Sequence, residues 1–239
     1  MSKLTEYSES GYPIYRYGDR QHVWQPPEYG EEGWSEKIED HVRQYIGEID
    51  SVFHEILSDV VHIDVHVIKP TPERNYYTLF TTGMSFKPMN TPEGAEDYEF
   101  AELMICLPPD WRISQEDLEN HVHFWPIKWL KMLARFPHEY DTWLGWEHTM
   151  PNGDPAEPLS QQTEMSGIIL LPPLDVDEDF LSLDMGDGRV VHFYAIIPLY
   201  SEEMDLKLKH GSDPLLDKFE EYGINEIIDL NRLNTCKAD

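Results

Sequence analysis

Two periods of hydrophobic residues run along this chain. VVHIDVHVI (60–68) alternates strictly between apolar and polar side chains, the two-residue period of a strand. Val61, Ile63, Val65 and Val67 fall on its core face, and His62, Asp64 and His66 on the other, partly exposed one. RNYYTLFTTGMS (74–85) and YEFAELMICL (98–107) are rich in aromatic and β-branched residues and predict two further strands. Their short connections favour an antiparallel meander. MSGIILL (165–171) and RVVHFYAIIPLY (189–200) add two more, the second long and central. Helical spacing begins earlier, where Ile38, Val42, Tyr45, Ile49, Val52 and Ile56 form one apolar stripe behind a Ser35 cap. Gly47 lies inside that stripe and is expected to weaken the helix without ending it. A second helix over 126–136 starts on Pro126 and buries Ile127, Leu130 and Ala134 beside Trp129, Leu133 and Phe136. Its opposite stripe, Lys128, Lys131 and Arg135, reads as solvated. Shorter helices are expected over Ser114–Glu119, after Ser201 and after Asp213-Pro214.

Residues 1–34 are punctuated by Pro13, Pro26 and Pro27 and predict an extended N-terminal arm held by Tyr15, Trp24 and Trp34. Residues 35–232 then form one α+β domain, a mixed, mainly antiparallel sheet flanked by helices.

Charge narrows the function. Eighteen Lys and Arg against 46 Asp and Glu give a formal −28 over 239 residues. Such a field repels nucleic-acid phosphates and anionic membrane surfaces. It favours a basic protein or peptide partner. The opening residues carry no basic-then-apolar leader, which points to a cytoplasmic protein. Two cysteines exclude a disulfide framework, and Cys106, inside an apolar strand, reads as a structural thiol.

Candidate chemistry is sparse. His62, Asp64 and His66 offer neutral imidazoles and a carboxylate on one strand face, the ligand types of a metal-dependent enzyme. One strand supplies at most two ligands comfortably, so others would have to come from His121, His123 or His148. The alternative is a sheet face crossed by ordinary hydrogen bonds. Asp175, Asp177 and Asp179 have calcium-loop spacing, but Phe180 and Gly186 occupy the glycine and glutamate positions of that loop, which excludes it. No phosphate-binding loop, dinucleotide fingerprint or hydrolase elbow is present. No cofactor is expected. The segment DTWLGWEHTMPNG places Asp141, Trp143, Trp146 and His148 in one turn, and indoles serve equally as core filling and as binding anchors.

HIDVHVIKPTPERNYYTLFTTGMS, AELMICLPPDW, WPIKWLKMLARFPHEYDTWLGWEHTMPNG and FYAIIPLYSEEMDLKL, in that order, resemble the suppressor of fused family, particularly its bacterial-type members. The resemblance covers about residues 35–230. It implies a non-enzymatic α+β protein-binding domain, of which this chain has room for one. The animal members grip a short peptide of a transcription factor between two domains, so no peptide-contacting residue carries over. Bacterial members are linked to polymorphic toxin systems as candidate immunity proteins. A basic toxin domain is the partner that this link implies.

Overall fold

The computed structural model describes residues 3–18, 24–114 and 121–237. Its frame is an eight-stranded sheet built from β3 (Ile49–Phe53), β4 (Asp64–Ile68), β5 (Tyr77–Thr82), β6 (Phe100–Leu107), β7 (Thr149–Pro151), β8 (Gly167–Leu171), β9 (Ser182–Asp184) and β10 (Val190–Leu199). The spatial order is β3-β4-β5-β6-β10-β8-β7, with β9 paired to the start of β10. Strands β3 to β6 are an antiparallel meander, as expected from their short connections. Among the strands named, one pairing departs from the antiparallel rule: β10 runs parallel to β6, with Val191 opposite Phe100. A separate hairpin, β1 (Lys3–Tyr7) and β2 (Pro13–Arg16), precedes the sheet.

Among the described residues four α-helices cover the sheet: α1 (Trp34–Tyr45), α2 (His121–Tyr140), α3 (Ser201–His210) and α4 (Asp213–Tyr222). Alternation along the strands decides which helix each side chain meets. On β10, Tyr194 and Ile196 face the cluster filled by Trp125, Trp129, Leu130 and Leu133 of α2. Phe193 and Ala195 face Ile38 and Val42 of α1, and Ile197 and Leu199 face Leu215 and Phe219 of α4. Both faces of the sheet are therefore buried, which is why its central strands read as nearly continuous apolar runs. Cys106 lies on the α1 side, fully buried, and desolvation pushes its thiol up to about 12. It is an inert structural thiol, as its apolar setting implies.

Several boundaries differ from the pattern-based expectation. The first helix stops at Tyr45, and Ile49–Phe53 is strand β3. Gly47 sits at φ 148°, a conformation that ends the helix and turns the chain into the sheet. Ile56, expected in the buried stripe, is 95% exposed. Helix α2 is longer at both ends than 126–136 and carries Pro126 and Pro137 inside it. The caps at Ser35 and Ser201 move to Gly33 and Tyr200. The helix expected over Ser114–Glu119 falls almost wholly outside the described residues. The basic stripe of α2 is not simply solvated either: Lys131 donates to the Phe53 carbonyl at 3.2 Å, and Arg135 binds Glu55 and the Asp59 carbonyl. Trp24, 61% exposed, holds the N-terminal segment through its indole, which donates to the Ser58 carbonyl, whereas Tyr15, 43% exposed, does not anchor it. Tyr17 does, its ring meeting Phe136 and Tyr140 edge-on and its hydroxyl 2.9 Å from that of Thr142.

Candidate functional site

The face carrying His62, Asp64 and His66 is partly exposed at its first two positions, as alternation predicted, and closed at the third. Strand β4 begins at Asp64, and His66 is buried at 3% exposure, stacked on Phe80 with Nε2 2.9 Å from the Thr82 hydroxyl. Burial lowers its pKa. His62 packs against Tyr29 and lies 2.6 Å from the Ser58 hydroxyl and 3.1 Å from an Asp64 oxygen. Asp64 also accepts from His54 and from the Glu55 amide. These side chains are engaged with one another and with the backbone, and among the described residues no three His, Cys, Asp or Glu converge as a metal set.

The tryptophan turn is built by the end of α2. Asp141 takes a left-handed φ of 53° that terminates the helix, while the Thr142 amide closes onto the Pro137 carbonyl at 3.0 Å. Thr142 then accepts from the Asn90 amide, and the Leu144 amide points at the Met89 sulfur, 3.4 Å away. Leu144 fills the core, and Trp143 is half-buried against it. The Trp143 ring lies 4.4 Å from that of His148, edge to face. A Cβ at Gly145 would come within 2.8 Å of Trp143 Cζ3, so the turn closes only because residue 145 has no side chain. Gly145→Ala is expected to destabilise the fold by about 1–3 kcal/mol through this overpacking; a urea midpoint equal to that of the unsubstituted protein would refute it.

Beyond the turn, the Glu147 amide donates to Leu170 and the Leu170 amide to His148, which starts β7 as the outermost strand beside β8. Trp146 points outward at 58% exposure. His148 is mostly enclosed, and burial, then the charge of Lys207, pushes its pKa down to about 4, so the ring is neutral at pH 7. Lys207, itself buried, lies 5.3 Å from the Tyr12 ring, with Glu147 the nearby countercharge. The β1–β2 hairpin borders the same region: Ser10 donates to the Leu208 carbonyl, and Arg16 pairs with Asp154 at 2.5 Å. Exposed Tyr7, Tyr12 and Tyr15 of that hairpin, with Trp146, give this end of the sheet an aromatic surface over an open strand edge. The roles of Lys207 and Tyr12 have no local signal in the sequence, since one reads as an ordinary C-terminal helix cation and the other as an arm residue.

Residues 59–233 match the family model described as Suppressor of fused protein (SUFU). The chain belongs to the suppressor of fused family. Its fold is similar to that of a putative SUFU homolog from Neisseria gonorrhoeae FA 1090, with a TM-score of 0.62 at 18% identity over 86% of this chain and 98% of that one. The crystal structure of a Sufu–Fu complex aligns with a TM-score of 0.59 and 15% identity, covering 90% of this chain and 99% of the matched one. Drosophila Suppressor of Fused also aligns at 0.59, with 14% identity, over 89% of this chain and 52% of its own. No curated protein sequence matches. In family terms the tryptophan turn joins the long helix to the edge strand of the SUFU domain. No described helix is long and apolar enough to cross a membrane.

Proposed function

We propose that this SUFU domain is a non-enzymatic, cytoplasmic protein-binding module whose partner docks on the tryptophan turn and the β7 edge. Trp146 is the anchor, and Trp143, held by His148 and Gly145, is the rigid wall behind it. Asp141 contributes charge at the rim. The carrying observation is the 58% exposure of Trp146 beside an unpaired strand edge, in a turn otherwise packed into the core. A formal −28 fits a basic partner, steered by long-range attraction. A basic toxin domain, neutralised by an immunity protein, is one such partner, and a regulated signalling protein is the other class that this reading covers.

The test begins with a partner recovered from native lysate and purified. Trp146→Ala is expected to weaken its binding by about 10–100-fold, as an exposed aromatic hot spot does, with no change in thermal midpoint. Trp143→Ala should weaken binding and also lower stability, because that ring packs against the core. If both variants remain folded and hold the partner at unchanged affinity, the turn is not the site. Raising salt should slow association while leaving dissociation nearly constant; an association rate flat with salt removes the steering argument.

A further inference from the structure

The opposite edge of the sheet carries a second exposed apolar surface. Ile56 and Leu57 are 95% and 89% exposed in the segment that leaves β3, and Trp24 and Tyr29 are 61% and 63% exposed. The four are tied into one patch around Ser58: the Trp24 indole donates to the Ser58 carbonyl at 3.2 Å, and Tyr29 stacks on His62, whose ring nitrogen meets the Ser58 hydroxyl. The segment that displays them is clamped, with Arg135 bonded to Glu55 and to the Asp59 carbonyl, and the Glu55 amide bonded to Asp64. Two adjacent branched side chains held almost fully in water by a half-buried ion pair and backbone hydrogen bonds are a display, not a loose loop.

Among the described residues no strand pairs with the outer side of β3 beside them. Edge strands are ordinarily blunted by lysine, proline or extreme shortness. Strand β3 has five residues and contains neither lysine nor proline, and its one irregularity of register to β4 falls between Ile49 and Ser51, at the end away from Ile56 and Leu57. Among the described residues, the Phe53 carbonyl is capped by Lys131. The surrounding charge is negative. Glu28 and Glu48 are exposed, while the neighbouring cations are engaged, Lys69 with Asp50 and Arg135 with Glu55.

We propose that the β3 edge and the Trp24–Tyr29–Ile56–Leu57 patch form a second docking surface, which takes an extended basic segment of another protein as an added strand. Its backbone pairs with β3, its apolar side chains cover Ile56 and Leu57, and its Lys or Arg side chains meet the acidic rim. A second copy of this chain is disfavoured, because it brings two such rims and two charges of −28 together. An anionic lipid surface is disfavoured for the same reason. With the tryptophan turn at the other end of the sheet, the domain holds two partners at once.

The probe is a capped synthetic peptide, Lys-Ile-Arg-Val-Lys-Val-Arg, against a control of equal charge with proline in place of the central valine. Fluorescence anisotropy on the full chain is expected to show the first binding about tenfold tighter than the second, since proline removes a ladder donor. Amide exchange should slow at residues 49–53. The double variant Ile56→Asp, Leu57→Asp, at exposed positions and hence with an unchanged thermal midpoint, should abolish the difference between the peptides. Trp146→Ala should leave it intact, which separates this surface from the one proposed above. Equal binding of the two peptides would mean charge adsorption only and would overturn the proposal, as would protection at 149–151 instead of 49–53. Light scattering that shows a dimer dissolved by the double variant would assign the surface to a second copy and overturn it as well.

Discussion

Replacing Glu203 with alanine should lower the unfolding free energy by about 3–5 kcal/mol, the consequence of leaving a buried guanidinium without its partner. Glu203 is fully buried on α3, and Arg232, its side chain 9% exposed, grips it with two bonds of 2.7 and 2.5 Å. The Thr235 amide and hydroxyl and the Tyr200 amide donate to the same carboxylate. Arg232 also donates to the Pro198 carbonyl at the end of β10. The pair thus fastens the C-terminal segment to the end of the central strand and to the start of α3. Urea unfolding followed by far-ultraviolet circular dichroism measures the change. A loss below about 1 kcal/mol would show that water replaces the missing carboxylate. The double substitution of Glu203 and Arg232 by leucine should cost less than the sum of the single changes, because no charge is then stranded.

Acid should destabilise the fold between pH 6.5 and 4. Burial pushes both His138 and His148 down to about 4 from an ordinary value of 6.5, the first while its Nε2 bonds the Met84 carbonyl at 2.8 Å. Across that window the unfolded chain binds more protons than the folded one, so stability rises with pH and is lost as pH falls. Each ring contributes up to about 3 kcal/mol by linkage. Burial lowers His41, His66 and His192 in the same direction. One group opposes them. Glu102, fully buried and accepting from Thr81, Ser85 and the amides of Gly83 and Ser85, is pushed up to about 7 by desolvation. It protonates earlier in the folded state, so its contribution is greatest below pH 4.5 and disappears as pH rises through 7. The histidines outnumber it, and the net slope is positive. Thermal midpoints taken from pH 7 to pH 4 check the sign; a midpoint that climbs on acidification would refute it. Glu102→Gln should steepen the acid loss, and His148→Phe should flatten it.

Periodicity gave the sheet but not its edges. The meander β4–β6 and strands β8 and β10 were legible because their runs are rich in β-branched, aromatic and other apolar residues. Strand β3 was read as helix because Ile49, Val52 and Ile56 continue a three- and four-residue spacing by coincidence; only the φ of Gly47 separates the two elements. Strands β7 and β9, at three residues each, are too short to carry a period. The burial of His66 followed the same limit, since alternation reports which residues share a face and not whether a helix covers it. At the tryptophan turn, the sequence showed that Trp143 and Trp146 belong together. It could not show that one packs and the other points out, because that difference arises from Gly145 and His148 closing under the first ring.

The parallel seam between β6 and β10 also sets a schedule. The first four strands of the sheet close onto one another over short loops, but β6 waits for a partner that begins more than eighty residues later, at Val190. Pairings of that separation form late and slowly. Until the ribosome has released β10, the nascent chain presents the bare flank of a strand that the finished fold buries almost from end to end. A heavily acidic sequence keeps such intermediates apart from one another while they wait.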